Sequence, residues 1–411
     1  MASDSNPPAD PGRPAKRLRP DRELLSRVLG SGGEDLRKCM QCATCSAVCE
    51  LTDGHNPSPR KEMLWAQWGL RQRLMADPDI WLCHQCNDCT LRCPRGARPG
   101  DVMAALRREC VTHYSVPGPI GRWVSRPSSL FWIVLVSAAV LAAAASAWQW
   151  AGLTRAELAS TGPRIVFPFW TRLPHGLLMA GGSLLLIADA VKLFMGARRY
   201  WRDLTASGAP PVLQQGRKSG LRAALLRIIW HDDFSLCAVE RSRRTTHLLV
   251  VYGMLALVLT DLWIIAARFN PLLAGLVYPL SFLNPWKIMA NLAGLAVLVG
   301  STLMLVDRWR RPQAAGRGSY SDWALLVFLI LIVLTGFGSE LLHYARLDSP
   351  RYAVYAVHLV AVLAFLWMLP YSKLAHVVYR TVAMVYAERT DRRAFRQPAE
   401  EPLNAQSGAP E

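Results

Sequence analysis

Six stretches of the chain are predominantly apolar: Ser128 to Trp150, His175 to Gly196, Thr245 to Ala266, Pro285 to Val306, Tyr320 to His343 and Ala353 to Val378. Each exceeds the roughly 20 residues an α-helix needs to cross a ~30 Å hydrocarbon core. They predict six transmembrane helices (about 128–150, 175–196, 245–266, 285–306, 320–343 and 353–378). Composition agrees, since 52% of the 411 residues are hydrophobic, too many for an ordinary soluble chain of this length.

The polar remainder divides around these helices. Residues 1–20 lack an apolar signal core and read as a disordered tail, not a secretory signal. Residues 21–126 form a mixed-charge unit, 127–380 the membrane domain and 381–411 a cytoplasmic tail. Pro117-Gly-Pro119 with Pro127 reads as a stiff hinge into the first membrane helix. The net charge of +17 invites a nucleic-acid reading, but its distribution follows the membrane. Loops 197–244 and 307–319 and the tail from 379 hold nineteen Lys/Arg, against six in the opposite loops. The positive-inside rule then places the N-terminal unit in the cytoplasm, where thiols stay reduced and a disulfide framework is not expected.

Eight of the ten cysteines fall into two groups with identical C-x2-C-x2-C-x3-C spacing, Cys39, Cys42, Cys45, Cys49 and Cys83, Cys86, Cys89, Cys93. That spacing wraps a four-iron cluster: short x2 steps let one loop reach three corners with soft thiolates, and the fourth thiolate crosses over. One cluster accordingly takes Cys39, Cys42, Cys45 and Cys93, and the other Cys83, Cys86, Cys89 and Cys49. Two zinc sites would use CxxC pairs separated by a longer gap. Pro94 follows the second motif, whereas Glu50 follows the first. Cys110 and Cys237 read as ordinary cysteines. A helix is expected between the motifs from Pro59 to Leu70.

Histidines inside or at the ends of the apolar helices are the second constellation, because an ionisable group at membrane depth is costly and usually has a functional partner. His358 and His376 lie 18 residues apart on one expected helix, five whole turns and about 27 Å, so they share a face at two membrane levels. His247 and His376 meet at the cytoplasmic level and clamp one haem b. His358 with His175, or alternatively His343, offers an outer haem. Histidines hydrogen-bonded at helix ends are the bland alternative, and Pro370 between the pair introduces a possible kink. Asp261, Lys287, Glu340 and His343 near the outer ends suggest a quinone pocket, against a reading as interfacial side chains snorkelling to headgroups. Asp189 and Lys192 read as an i,i+3 pair.

The last apolar helix, His358 to His376, resembles that of the respiratory nitrate reductase gamma subunits, which implies paired histidines on two haems b. In that family a second pair lies ten residues apart on an earlier helix; His247 matches the first, but Leu257 stands in place of the second. The N-terminal unit, through Cys83-His-Gln-Cys86-Asn-Asp-Cys89 and Cys93-Pro-Arg-Gly-Ala-Arg-Pro-Gly-Asp101, resembles the heterodisulfide reductase C-type ferredoxins, α-helical proteins with two [4Fe-4S] clusters. No Cys-Cys-Gly motif is present, so the catalytic disulfide-type site belongs elsewhere. The fusion is similar to the C-type membrane component of the quinone-interacting membrane-bound oxidoreductase (Qmo) complexes.

The expectation is therefore an all-α protein, a two-cluster ferredoxin domain followed by a six-helix transmembrane cytochrome b bundle in a bacterial or archaeal cytoplasmic membrane. The resemblance implies an electron-transfer subunit linking quinone, through haems b and two [4Fe-4S] clusters, to soluble flavin and iron-sulfur partner subunits. It further implies a sulfur substrate couple, adenylylsulfate and sulfite through adenylylsulfate reductase. The alternatives are a cytochrome component of a heterodisulfide-reductase-like or sulfite-reductase-associated complex, or a redox-inactive membrane anchor.

Overall fold

The computed structural model of the protein describes residues 19–52, 56–150, 175–207, 219–230, 241–270 and 280–390. Cys237, most of the expected tails and the side chain of His175 lie outside the described residues. The described residues contain helices and no strand.

The N-terminal unit is a set of short helices: α1 (Arg22–Gly30), α2 (Thr44–Ala47), α3 (Arg60–Gln67), α4 (Arg71–Met75), α5 (Asp79–Leu82), α6 (Asp88–Leu91) and the longer α7 (Pro99–Tyr114). Asp21 starts α1, its carboxylate accepting from the Leu24 N–H at 2.8 Å and from Arg71 Nε at 2.5 Å. The two cysteine motifs repeat each other in backbone as well as spacing. Gln41 and Ala43 in the first, and Gln85 and Asn87 in the second, hold φ between 56° and 67° at matching positions. The four-residue helices α2 and α6 each begin directly after the second of these. A left-handed backbone costs a non-glycine residue about 1–2 kcal/mol, so four such positions persist because each loop must turn its thiols toward a common point.

After α8 (Gly118–Val124) come six helices long and apolar enough to cross a membrane: α9 (Ser129–Trp150), α10 (His175–Ser207), α12 (Arg241–Phe269), α13 (Pro285–Arg310), α15 (Tyr320–Tyr344) and α16 (Asp348–Met368). The chain is a multi-pass membrane protein. The shorter α11 (Ser219–Trp230) and α14 (Pro312–Ala315) lie between them. Glycines allow α12 and α13 to approach closely: a Cβ at Gly253 would sit 2.8 Å from the Ala293 carbonyl, and one at Gly300 2.9 Å from the Thr246 carbonyl. Leu257 packs into the apolar cluster of Val297, Leu329 and Val333.

The helix expected over 353–378 is two helices. Pro370 has no N–H to continue the ladder and its ring clashes with the preceding turn. α16 therefore stops at Met368, two 3-10 turns follow (Leu369–Tyr371 and Lys373–Ala375), and α17 (His376–Arg389) restarts at His376. His358 and His376 thus do not share one continuous helix face, and α17 occupies residues expected to begin the tail.

α17 enters the core of the N-terminal unit. Tyr379, Ala383, Met384 and Ala387, with Tyr200 and Leu204 of α10, are buried among Leu74, Trp81, Leu106 and Tyr114. Trp81 and Tyr379 stack at 5.1 Å, and Tyr200 lies 5.2 Å from Tyr114. The segment expected to act as a hinge carries α8 and is fastened instead: Tyr371 donates to the Val116 carbonyl at 3.0 Å, and Tyr320 to the Val124 carbonyl. Asp322, which completes a capping box with Ser319 at the start of α15, also holds Lys373 at 2.9 Å and Arg108 at 3.7 Å. One carboxylate thereby joins α15, α7 and the broken helix.

Candidate metal centres

The fold collects the eight motif cysteines into two groups. The sulfur of Cys93 lies within charge-interaction range of Cys39 and Cys45, and Cys42 interacts with the same two. Cys49 is instead beside Cys83 and Cys86, and Cys89 interacts with Cys83, Cys49 and Cys86. Cys89 also feels Cys45, so the two groups are neighbours.

Burial holds most of these thiols above their ordinary pKa. It pushes Cys45 up to about 11, with repulsion from Cys39 adding to it, and Cys49, Cys83 and Cys89 also rise, burial being the main cause. Cys42 differs: it is exposed, and the Thr44 hydroxyl, 3.4 Å from its sulfur, lowers its pKa. Desolvated thiols packed beside one another are satisfied by a cationic centre that takes them as thiolates. Donors also point at the sulfurs: Gln85 N–H at 3.4 Å from Cys83 Sγ, Ala97 N–H at 3.3 Å from Cys93 Sγ, and Gln41 Nε2 at 3.5 Å from Cys39 Sγ. The described cysteines are free thiols. Two tetrads of soft donors with N–H groups on their sulfurs fit two four-iron clusters.

Three arginines that no sequence motif singles out hold the loop of the second motif, and two of them, Arg380 and Arg243, reach it from the membrane portion. Arg107 of α7 donates from Nε to the Ile80 carbonyl at 2.7 Å and from Nη2 to the Cys83 carbonyl. Arg380 of α17 donates to the Trp81 and Cys83 carbonyls at 3.1 and 3.3 Å and lies 3.1 Å from the His84 ring. Arg243, at the start of α12, reaches the Gln85 carbonyl at 3.3 Å. The signal available in the sequence was the i,i+4 spacing of His376 and Arg380, which puts both on one side of a helix.

His376 and His247 lie within charge-interaction range of each other. His376 Nδ1 is 2.5 Å from the Lys373 carbonyl, which assigns the proton to Nδ1 and leaves the Nε2 lone pair for a metal. His376 also lines a cavity of about 720 Å³ between the N-terminal unit and the bundle, whose wall carries Arg107, Arg108, Arg126 and Lys373. The imidazole and the cations suit a haem with its two carboxylates, whereas His247 is not among the residues lining this cavity. His358 is held similarly, Nδ1 lying 3.0 Å from both the Ile332 carbonyl and Thr335 Oγ1 on α15. His343 lies eight residues beyond Thr335, about 12 Å along that helix, within charge range of Lys287, Glu340 and Arg351.

The remaining candidates separate. Lys287 and Glu340 form a 2.8 Å ion pair between α13 and α15, and Asn291 donates to Glu340 at 3.1 Å. Asp261 is exposed on α12 and pairs with none of these among the described residues. Asp189 and Lys192 pair at 2.8 Å across one turn. Cys110 is buried in the core.

Residues 124–398 match the citrate utilization protein B family. The chain belongs to that family. Residues 35–97 match the 4Fe-4S dicluster domain, so the N-terminal unit is an iron-sulfur electron-transfer module. Citrate utilization protein B of Escherichia coli is 26% identical over 320 residues, 74% of this chain and 80% of that protein. The N-terminal unit is 38% identical over 106 residues to a heterodisulfide reductase C-like protein of Archaeoglobus profundus, covering 24% of this chain and 55% of that one. It is 33% identical over 89 residues to the C component of the H(2):CoB-CoM heterodisulfide,ferredoxin reductase of Methanothermobacter marburgensis, 22% of this chain and 48% of that one. The chain thus spans about half the length of these two relatives. No solved structure matches. The heterodisulfide reductase C resemblance of the N-terminal unit is matched by these relatives, whereas the citrate utilization family was not named from the sequence.

Proposed function

We propose that this chain is the membrane electron-transfer subunit of a larger oxidoreductase assembly, joining quinone in the bilayer to a soluble flavin- or iron-sulfur-bearing partner. Cys39, Cys42, Cys45 and Cys93 hold one [4Fe-4S] cluster, and Cys49, Cys83, Cys86 and Cys89 the other. His247 and His376 hold a haem b, and His358 is the ligand for a second, with His175 or His343 opposite. Bound there, these groups supply one-electron couples. The N-terminal unit faces the cytoplasm, following the basic loops.

The observation that carries the reading is that Arg380, one turn beyond His376, grips the carbonyl of Cys83. A haem-ligand candidate and a cluster-ligand candidate are thereby built into one rigid junction. Around it, Trp81, Tyr114, Tyr200 and Tyr379 are almost fully buried and exclude water. Arg107 and Arg380 place fixed positive charge at the junction, and Lys373, tied to Asp322 at 2.9 Å, lines one cavity with Arg107 and His376.

The names of the relatives carry two substrate classes. The family covering most of the chain favours a partner acting on a citrate-type tricarboxylate. The heterodisulfide-reductase-like N-terminal unit favours a partner acting on a sulfur compound, including the adenylylsulfate couple implied by a Qmo-like complex. An optical redox titration of the purified full-length protein tests the shared core. Low-spin haem bands that reduce on quinol addition are expected, and haems that stay oxidised with every quinol overturn the reading.

A further inference from the structure

Between α1 and α8, only three large apolar side chains are exposed among the described residues: Met40 (66%), Trp68 (55%) and Leu91 (46%). Each adjoins the first group of cysteines, along the chain or through the hydrogen bonds of its neighbour. Met40 lies between Cys39 and Gln41. Trp68 follows Gln67, whose side chain is bonded to Gln41 at 3.2 Å and to the Cys39 carbonyl at 3.0 Å. Leu91 ends α6, two residues before Cys93, and α6 packs on α2. Cys42, the one exposed motif cysteine, belongs to this group.

The charge around this patch is one-sided. Arg37, Arg92 and Arg95 are exposed and have no ion-pair partner among the described residues, and Arg60 stands near Cys39 and Cys42. Among the described residues Glu50 and Glu34 are the exposed carboxylates nearby, and Glu34 stands 3.7 Å from Arg317. The loop of the second group is instead held from the membrane side, by Arg380 and Arg243. Apolar side chains ringed by polar ones mark a protein-binding surface, and Met, Trp and Arg are among the types that dominate interface cores.

We infer that Met40, Trp68 and Leu91, with Arg37, Arg92 and Arg95 around them, form the docking face for an acidic soluble redox protein. The inference rests on the electron-transfer reading above and adds to it the face, the polarity and the chemistry of the partner. Unpaired arginines steer an acidic surface toward the patch, and the three apolar side chains give it a dry centre beside Cys42. Because the second group is turned to the bundle, the partner meets the first.

The test places a photoreactive benzoyl-phenylalanine at position 40 or 68 of the full-length chain in its native membranes, and at Arg202 on α10 as a control. Expected is one soluble flavin- or iron-sulfur-containing protein, cross-linked through a peptide rich in Asp and Glu, from positions 40 and 68 and not from 202. The combination Arg37→Glu, Arg92→Glu and Arg95→Glu lowers its yield about tenfold or more, as loss of electrostatic steering does, and raised salt has the same sense. The matching Arg→Gln combination gives a smaller loss, with unchanged iron content and haem spectrum in both. Adducts with a second copy of this chain or with phospholipid, or a yield indifferent to charge reversal, overturn the proposal. Absence of iron and sulfide from the purified wild type instead removes the electron-transfer reading, and the adduct result then stands separately.

Discussion

Arg380 reaches from the first turn of α17 to the backbone carbonyl of Cys83, 3.3 Å away and almost 300 residues earlier in the chain. The same carbonyl accepts from Arg107. Two half-buried guanidinium groups thus meet on one cysteine carbonyl. They hold positive charge beside the second cysteine group and tie that group to the histidine at the start of α17.

Arg380→Gln is therefore expected to lower the reduction potential of the cluster at Cys83, Cys86, Cys89 and Cys49, since a nearby cation favours the more negative reduced state. The cluster on the first group should move much less. An EPR-monitored titration resolving the two signals measures this; equal shifts, or none, would show that Arg380 is only a structural tie. Arg107→Gln should act in the same sense, and the two changes should couple because they share one acceptor.

The crossed ligand set gives a second expectation. Cys93→Ser should remove the cluster at Cys39, Cys42 and Cys45 and leave its neighbour, while Cys49→Ser should do the reverse. Iron analysis with EPR of each purified variant decides it. A Cys93→Ser protein that keeps the first cluster and loses the second would exclude the crossed arrangement.

Much of this was legible in sequence, for identifiable reasons. Cysteine spacing and long apolar runs are local signals, so both thiol motifs and all six membrane helices could be read directly. The break at Pro370 was visible only as a possible kink, because whether a proline bends or ends a helix depends on what receives the chain beyond it. Here α17 is received by Tyr114, Tyr200 and Trp81, a contact between segments up to about 300 residues apart that no periodicity reports. Arg107 and Arg380 were missed for the same reason: each looks like a surface cation until the carbonyl it grips is known.

The histidines supply a third expectation. His376→Ala or His247→Ala should each abolish one low-spin haem signal in the reduced spectrum, because both rings are needed to close its coordination, while the iron-sulfur signals persist. His358→Ala should leave that haem intact. Spectra of the three variants in detergent suffice, and a His247→Ala protein with an unaltered spectrum would remove His247 from the set.

The last expectation concerns stability. Lys61 is the cation for three buried carboxylates, its Nζ lying 2.7 Å from Asp79, 2.9 Å from Asp77 and 3.4 Å from Glu62. Lys61→Met strands those acids and should destabilise the N-terminal unit by about 3–5 kcal/mol, the usual penalty for breaking a buried ion network from one side. Within the network, burial, with Asp77 and Asp79 adding to it, holds the Glu62 carboxyl well above the ordinary carboxylate range despite Lys61. The folded state therefore binds this proton more tightly than the unfolded state. Stability from this group is greatest below the unfolded carboxylate value and falls as pH rises toward the folded one. Glu62→Gln should flatten that fall and raise the melting temperature at alkaline pH relative to wild type. Thermal melts of wild type, Lys61→Met and Glu62→Gln across that range test both statements, and a Glu62→Gln protein retaining the full wild-type slope would assign the pH dependence to other groups.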